Sequence, residues 1–82
     1  MIYAQPDLPV GSIYITRSAW MGKTTDQYLE SGELVFVMDV KVDQFCVTIT
    51  WLTSHGIFED PWPHRSEEDW AEWKQMKLER QT

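Results

Sequence analysis

Eighty-two residues make one domain, and 43 % apolar against 24 % charged residues excludes a disordered chain. Seven Lys and Arg against thirteen Asp and Glu leave a net charge of −6, which argues against direct nucleic-acid binding through phosphate contacts. The single cysteine, Cys46, excludes an intrachain disulfide and a Cys-rich zinc site.

Residues 1–10 predict an extended arm, because Pro6 and Pro9 block helix and ladder donation. No basic residue precedes Arg17, so the arm lacks the positive start of a secretory signal. The longest apolar run, residues 34–38, falls far short of the roughly 20 residues needed to cross a bilayer. The expected location is therefore the cytoplasm, where a lone thiol stays reduced. Residues 11–16 alternate, with Ile13 and Ile15 on one face and Tyr14 and Thr16 on the other, and predict a half-buried strand. From residue 17 to residue 32 the period is lost. A long loop is expected there, with one helical turn over residues 26–30.

The strongest alternation runs from residue 33 to residue 42. Leu34, Phe36, Met38, Val40 and Val42 share one parity, and these are expected to face inward. After a tight turn at Asp43 and Gln44, residues 45–52 alternate again, with Phe45, Val47, Ile49 and Trp51 facing in. Residues 54–56 turn the chain into a short strand over residues 57–59. Consecutive strands with short connections predict an antiparallel meander. Pro61, Trp62 and Pro63 end the sheet, and Ser66 begins a helix expected to run to residue 80. Its hydroxyl is placed to cap the amide of Asp69, and Glu67, Glu68 and Asp69 occupy the first turn, where the helix dipole favours negative charge.

Few residues point to chemistry. His55 and His64, with Glu59 and Asp60 between them, offer metal-ligand types but no ligand spacing, so no metal and no cofactor is expected. Cys46 has no neighbouring base or cation to activate it, and it reads as a small apolar filler. Gly22, Lys23 and Thr24 look like the end of a phosphate-binding loop, but Arg17 stands where the first glycine is required. No nucleophile, metalloprotease or calcium motif is present, and the chain is not expected to be an enzyme.

The acids are more informative. Between Glu59 and Glu72 lie six of them against one base, Arg65, a net of −5. Trp62, Trp70 and Trp73 fall in the same segment, and Trp is enriched at binding hot spots. A solvated helix face and Trp buried in a small core explain the same residues without a partner. As a functional surface, Trp62, Glu67, Glu68, Asp69, Trp70 and Trp73 would meet a protein partner with a basic surface. Tyr14, Trp20 and Tyr28 form a secondary aromatic candidate.

Strand, long loop, three-strand meander and terminal segment, over about residues 11–62, together resemble the small SH3-like or Tudor-like β-barrels. Residues 47–51 (VTITW), followed by Gly56, Ile57 and Phe58, are similar to a strand–turn–strand of short phage-encoded members. The resemblance implies a mainly β fold, an antiparallel barrel of four to five strands (residues 11–62) with a C-terminal helix (residues 66–80). The Ala-Leu-Tyr-Asp-Tyr and Pro-Ser-Asn-Tyr stretches of peptide-binding SH3 domains are missing, so a proline-peptide groove is not implied. The expected function is a small acidic protein-binding module, a phage or mobile-element accessory protein that inhibits or regulates a larger host protein in the host cytoplasm. The alternative is a nucleic-acid-associated barrel using Arg17, Lys23 and Lys41 with Tyr14 and Trp20 as a stacking platform.

Overall fold

The computed structural model describes residues 2–21 and 27–80. The fold is mainly β, in antiparallel sheets, with one C-terminal helix. Eight elements follow in order: β1 (Ile13–Thr16), β2 (Trp20–Met21), β3 (Tyr28–Leu29), β4 (Leu34–Val42), β5 (Val47–Thr53), β6 (Gly56–Trp62), α1 (Glu67–Lys77) and β7 (Leu78–Arg80). Five strands form one open sheet in the order β6-β5-β4-β1-β7, and β2 pairs with β3 in a separate ribbon. Against the expected four to five strands, seven stand among the described residues. The two additions within the long connection are short, and a two-residue strand has too few positions to show a period.

The meander β4-β5-β6 forms as expected, but half of β4 faces the other way. Val35 and Val37 are fully buried, whereas Leu34, Phe36 and Met38 are exposed. Val37 lies opposite Trp51 and Asp39 opposite Thr50, so Met38 is an extra residue and the register shifts there. A bulge of this kind reverses parity. Beyond it Val40 and Val42 pack against the core as predicted, opposite Ile49 and Val47. In β5 the inward set Val47, Ile49 and Trp51 is buried, but Phe45 lies outside the strand and is 79 % exposed. The Asp43 carboxylate accepts from the amides of Phe45 and Cys46 at 2.8 and 3.0 Å, so the turn is longer than expected and carries Phe45 outward. These two bonds hold the Asp43 carboxyl below its ordinary value.

In β1, which pairs with β4 on one side and β7 on the other, the inward face is the one that carries Tyr14 and Thr16: both are buried, and Tyr14 joins the core cluster with Trp70, Trp73 and Leu78. Thr16 completes the site: its hydroxyl donates to the Glu30 carbonyl at 2.8 Å and accepts from the Glu33 amide at 3.0 Å. Gly32 (φ 90°) closes that corner by donating to the Thr16 carbonyl, a backbone conformation that L side chains rarely adopt. Strand β6 continues through Pro61 and Trp62 rather than ending before them. It is an edge strand, where a missing N–H costs no ladder bond.

The arm is pinned rather than free. Leu8 is buried in the core cluster, and Lys74 of α1 donates to the Asp7 carbonyl at 2.6 Å. The helix stops three residues early. Leu78 is extended (φ −132°, ψ 142°), and residues 78–80 return as β7 beside β1, opposite Tyr14 to Thr16. The helical turn expected over residues 26–30 is corrected at Tyr28 and Leu29, which are strand; Asp26 lies outside the described residues, as do Gly22, Lys23 and Thr24. Among the described residues no helix is long and apolar enough to cross a membrane.

Candidate functional site

The C-terminal helix forms as its caps dictate. Ser66 is extended, and its hydroxyl accepts from the Asp69 amide at 3.1 Å. Glu67, Glu68 and Asp69 occupy the first turn and Lys74 and Lys77 the last, each sign at the end the helix dipole favours. Trp70, Trp73 and Met76, spaced three apart along the helix, then divide. Trp70 and Trp73 are 1 % and 4 % exposed, while Met76, three residues on, is 63 % exposed. Both indoles join the core cluster that contains Val35, Val37 and Ile49. Neither ring is therefore offered to a partner, which corrects that part of the expected surface.

Exposed on the same helix are Glu67, Glu68, Asp69, Ala71, Glu72, Gln75 and Met76. Beside it the aromatic rings form a chain: Trp70 meets Trp73 edge-on at 5.4 Å, and Trp73 meets the half-buried Trp62 at 5.5 Å. The Arg65 guanidinium lies 5.2 Å from the Trp62 ring centre and 5.7 Å from that of Trp70, within range of cation–π attraction to both. A groove of about 340 Å³ runs between this corner and the helix, lined by Trp62 and Trp73, by Asp69, Glu72 and Met76, and by the cations Arg65 and Lys77. A second cavity of about 120 Å³ adjoins it, sharing Trp62, Trp73 and Lys77 and reaching Trp20 and Asp60.

Asp60 anchors the far side of that cavity. Its Oδ2 accepts the indole N–H of Trp62 at 2.7 Å and that of Trp51 at 3.4 Å. Burial nevertheless pushes its carboxyl above the usual 3.8, against the downward pull of the two indoles and of Lys77. A carboxyl raised on folding holds its proton more tightly when folded. Stability from this group therefore rises as pH falls through the raised value and levels off below 3.8. Glu33 and Asp43 are lowered, so their contribution is present above the usual 4.5 and 3.8 and is lost below. Asp60→Asn is expected to melt above wild type at pH 7, with the gap closing as both are taken toward about pH 4. Thermal circular dichroism at matched pH reads this difference, since Glu33 and Asp43 are common to both proteins. A variant that melts lower at pH 7 would show that the charged indole bonds outweigh burial.

The secondary aromatic set does not converge. Tyr14 is buried and lies under Lys74 Nζ, 5.3 Å from the ring centre. Trp20 is half-buried against Trp51, with ring centres 5.0 Å apart, and Tyr28 is half exposed on β3. Tyr14 is thereby lost to the stacking platform of the nucleic-acid alternative. Arg17 Nε donates to the Leu78 carbonyl at 3.0 Å, and Lys23 lies outside the described residues. The histidines engage different partners: His55 Nε2 lies 3.1 Å from Glu33 Oε1, and His64 stacks on Tyr3 at 3.9 Å. Cys46 is partly buried, with its sulfur 3.6 Å from the Thr48 hydroxyl.

Sequence reasoning left Met76 and Lys77 out of the site and counted Asp60 only as an acid and a metal-ligand type, not as the acceptor of two indoles. The place of Asp60 between two Trp spaced eleven apart in the chain, Trp51 and Trp62, follows from the β5-β6 pairing, which sets Ile49 opposite Asp60 and Val47 opposite Trp62. Compared with protein-family models, with curated proteins and with solved structures, the chain matches none.

Proposed function

We propose that this protein is a non-enzymatic binding module, an accessory protein that binds and inhibits or regulates a larger protein with a basic surface. One observation carries the reading: Glu67, Glu68, Asp69 and Glu72 stand exposed on a helix whose buried Trp70 and Trp73 anchor it to the core. A rigid acidic face costs little conformational entropy on docking and steers a basic partner toward itself. The groove between that helix and the half-buried Trp62 adds aromatic surface beside the acids, with Arg65 and Lys77 also in its lining.

An SH3-like barrel is the proposed architecture. In its favour, β7 returns beside β1, a ribbon interrupts the β1-β4 connection, and the bulge at Met38 bends the long strand β4. Bulges of this kind curl a sheet toward closure.

Affinity capture from the source cell, followed by association kinetics on the captured partner, tests the function. Replacing Glu67, Glu68 and Asp69 together by Lys should lower the association rate about tenfold or more at low salt, with little change in dissociation. The same change places cations at the helix N-terminus, so circular dichroism must show the helix intact. An association rate unchanged at low salt on an intact helix would leave the acids as a solvated face and end this reading.

A further inference from the structure

The side of the sheet away from α1 carries a row of apolar side chains. Ile13 stands opposite Phe36, Phe36 opposite Leu52, and Leu52 opposite Ile57, so one row crosses four neighbouring strands. Leu34, opposite Ile15, and the bulged Met38 flank that row. None of these side chains belongs to the buried core, and Leu34, Phe36, Met38, Leu52 and Ile57 are 48, 38, 41, 42 and 55 % exposed. The next row, Asp39, Thr50 and Glu59, is polar and bounds the patch on one side. At its other end the Glu33 carboxylate accepts from the Ser54 hydroxyl and meets His55, each at 3.1 Å. Between Leu34, Phe36 and Leu52 the surface is hollowed, and Ile57 stands at the end of the row.

We propose that this face is a homodimer interface, on which two copies of the chain pack their Phe36–Leu52–Ile57 rows against each other. Charge selects the occupant. Glu67, Glu68, Asp69 and Glu72 stand exposed on α1, so two copies meeting through that helix would repel. The apolar row carries no charge, and on it two copies meet with their acidic helices turned away from each other. Area agrees. The five exposed side chains leave roughly 400–500 Å² of apolar surface open, the size of the largest patch on a typical monomer and over half of the ~800 Å² per partner that a standard interface buries. The bulge at Met38 explains why the patch exists: it turns Val35 and Val37 inward and leaves three larger apolar side chains outside.

The inference is independent of the partner-binding helix, which lies on the other side of the sheet. Sedimentation equilibrium of the full chain, from about 1 to 500 µM, tests it. The wild-type mass is expected to rise toward twice the monomer value. Leu52→Glu and Ile57→Lys should each move that transition at least tenfold upward in concentration, with unchanged circular dichroism. Glu68→Lys, on the helix, should not move it upward. On the wild type alone, concentration-dependent methyl shifts should appear at Ile13, Leu52 and Ile57 and not at Met76. A monomer at every concentration overturns the proposal, as does a dimer that both sheet variants leave intact or one whose shifts map to the helix. A monomeric wild type whose sheet variants lose the captured partner would assign the face to that partner instead.

Discussion

Truncating Trp70 or Trp73 to Ala is expected to unfold the protein or bring it to the edge of unfolding. Both indoles are buried against the inner side of the sheet, and removing a buried Trp costs about 3–5 kcal/mol. A chain of this length is held by about 4–12 kcal/mol in total. The loss is packing rather than hydrogen bonding, since neither indole nitrogen has a partner among the described residues. It also propagates: Trp73 links Trp70 to Trp62, and the helix delivers β7 to its place beside β1. Urea denaturation followed by Trp fluorescence and circular dichroism gives the measurement. A Trp70→Ala protein that stays folded with under about 1 kcal/mol lost would mean that the helix is not held by this contact.

Replacing Ile49 with Ala should cost about 2–5 kcal/mol, while Phe36→Ala should cost less than about 1 kcal/mol when measured on dilute protein. Ile49 is fully buried on β5, opposite Val40; Phe36 stands on the outer face, opposite Leu52. The contrast is a test of register, because reading β4 as one uninterrupted alternation places Phe36 in the core beside Ile49. Equal losses at the two positions would restore that register and remove the bulge at Met38.

The helix was legible because its signals are local. Ser66 as cap, three acids in the first turn and lysines in the last each act within a few residues, and all appear where the sequence places them. The parity of β5 was legible for a related reason. Thr48 and Thr50 alternate with Val47, Ile49 and Trp51, so only one face of that strand can be buried without polar cost. In β4 the five residues from 34 to 38 are all apolar, and either face satisfies the core. Local pattern cannot choose between them. The candidate surface divides the same way: the exposed acids follow from charge, but Trp70, Trp73 and Met76 look alike at helical spacing.

By itself the sequence determined a mainly β chain with a three-strand antiparallel meander, a capped C-terminal helix, and an acid excess concentrated at that helix. Those features rest on period, capping and charge, which are properties of neighbours in the chain. Tertiary structure alone decided three others: the inward turn of Val35 and Val37 across the bulge, the burial of Tyr14 in the core cluster under the helix, and the burial of Trp70 and Trp73. Each depends on what returns from far along the chain. Residues 78–80 pair with β1 some sixty positions earlier, and that return places the helix over the core. An apolar side chain is buried by whatever covers it, and no pattern within its own segment records what that will be.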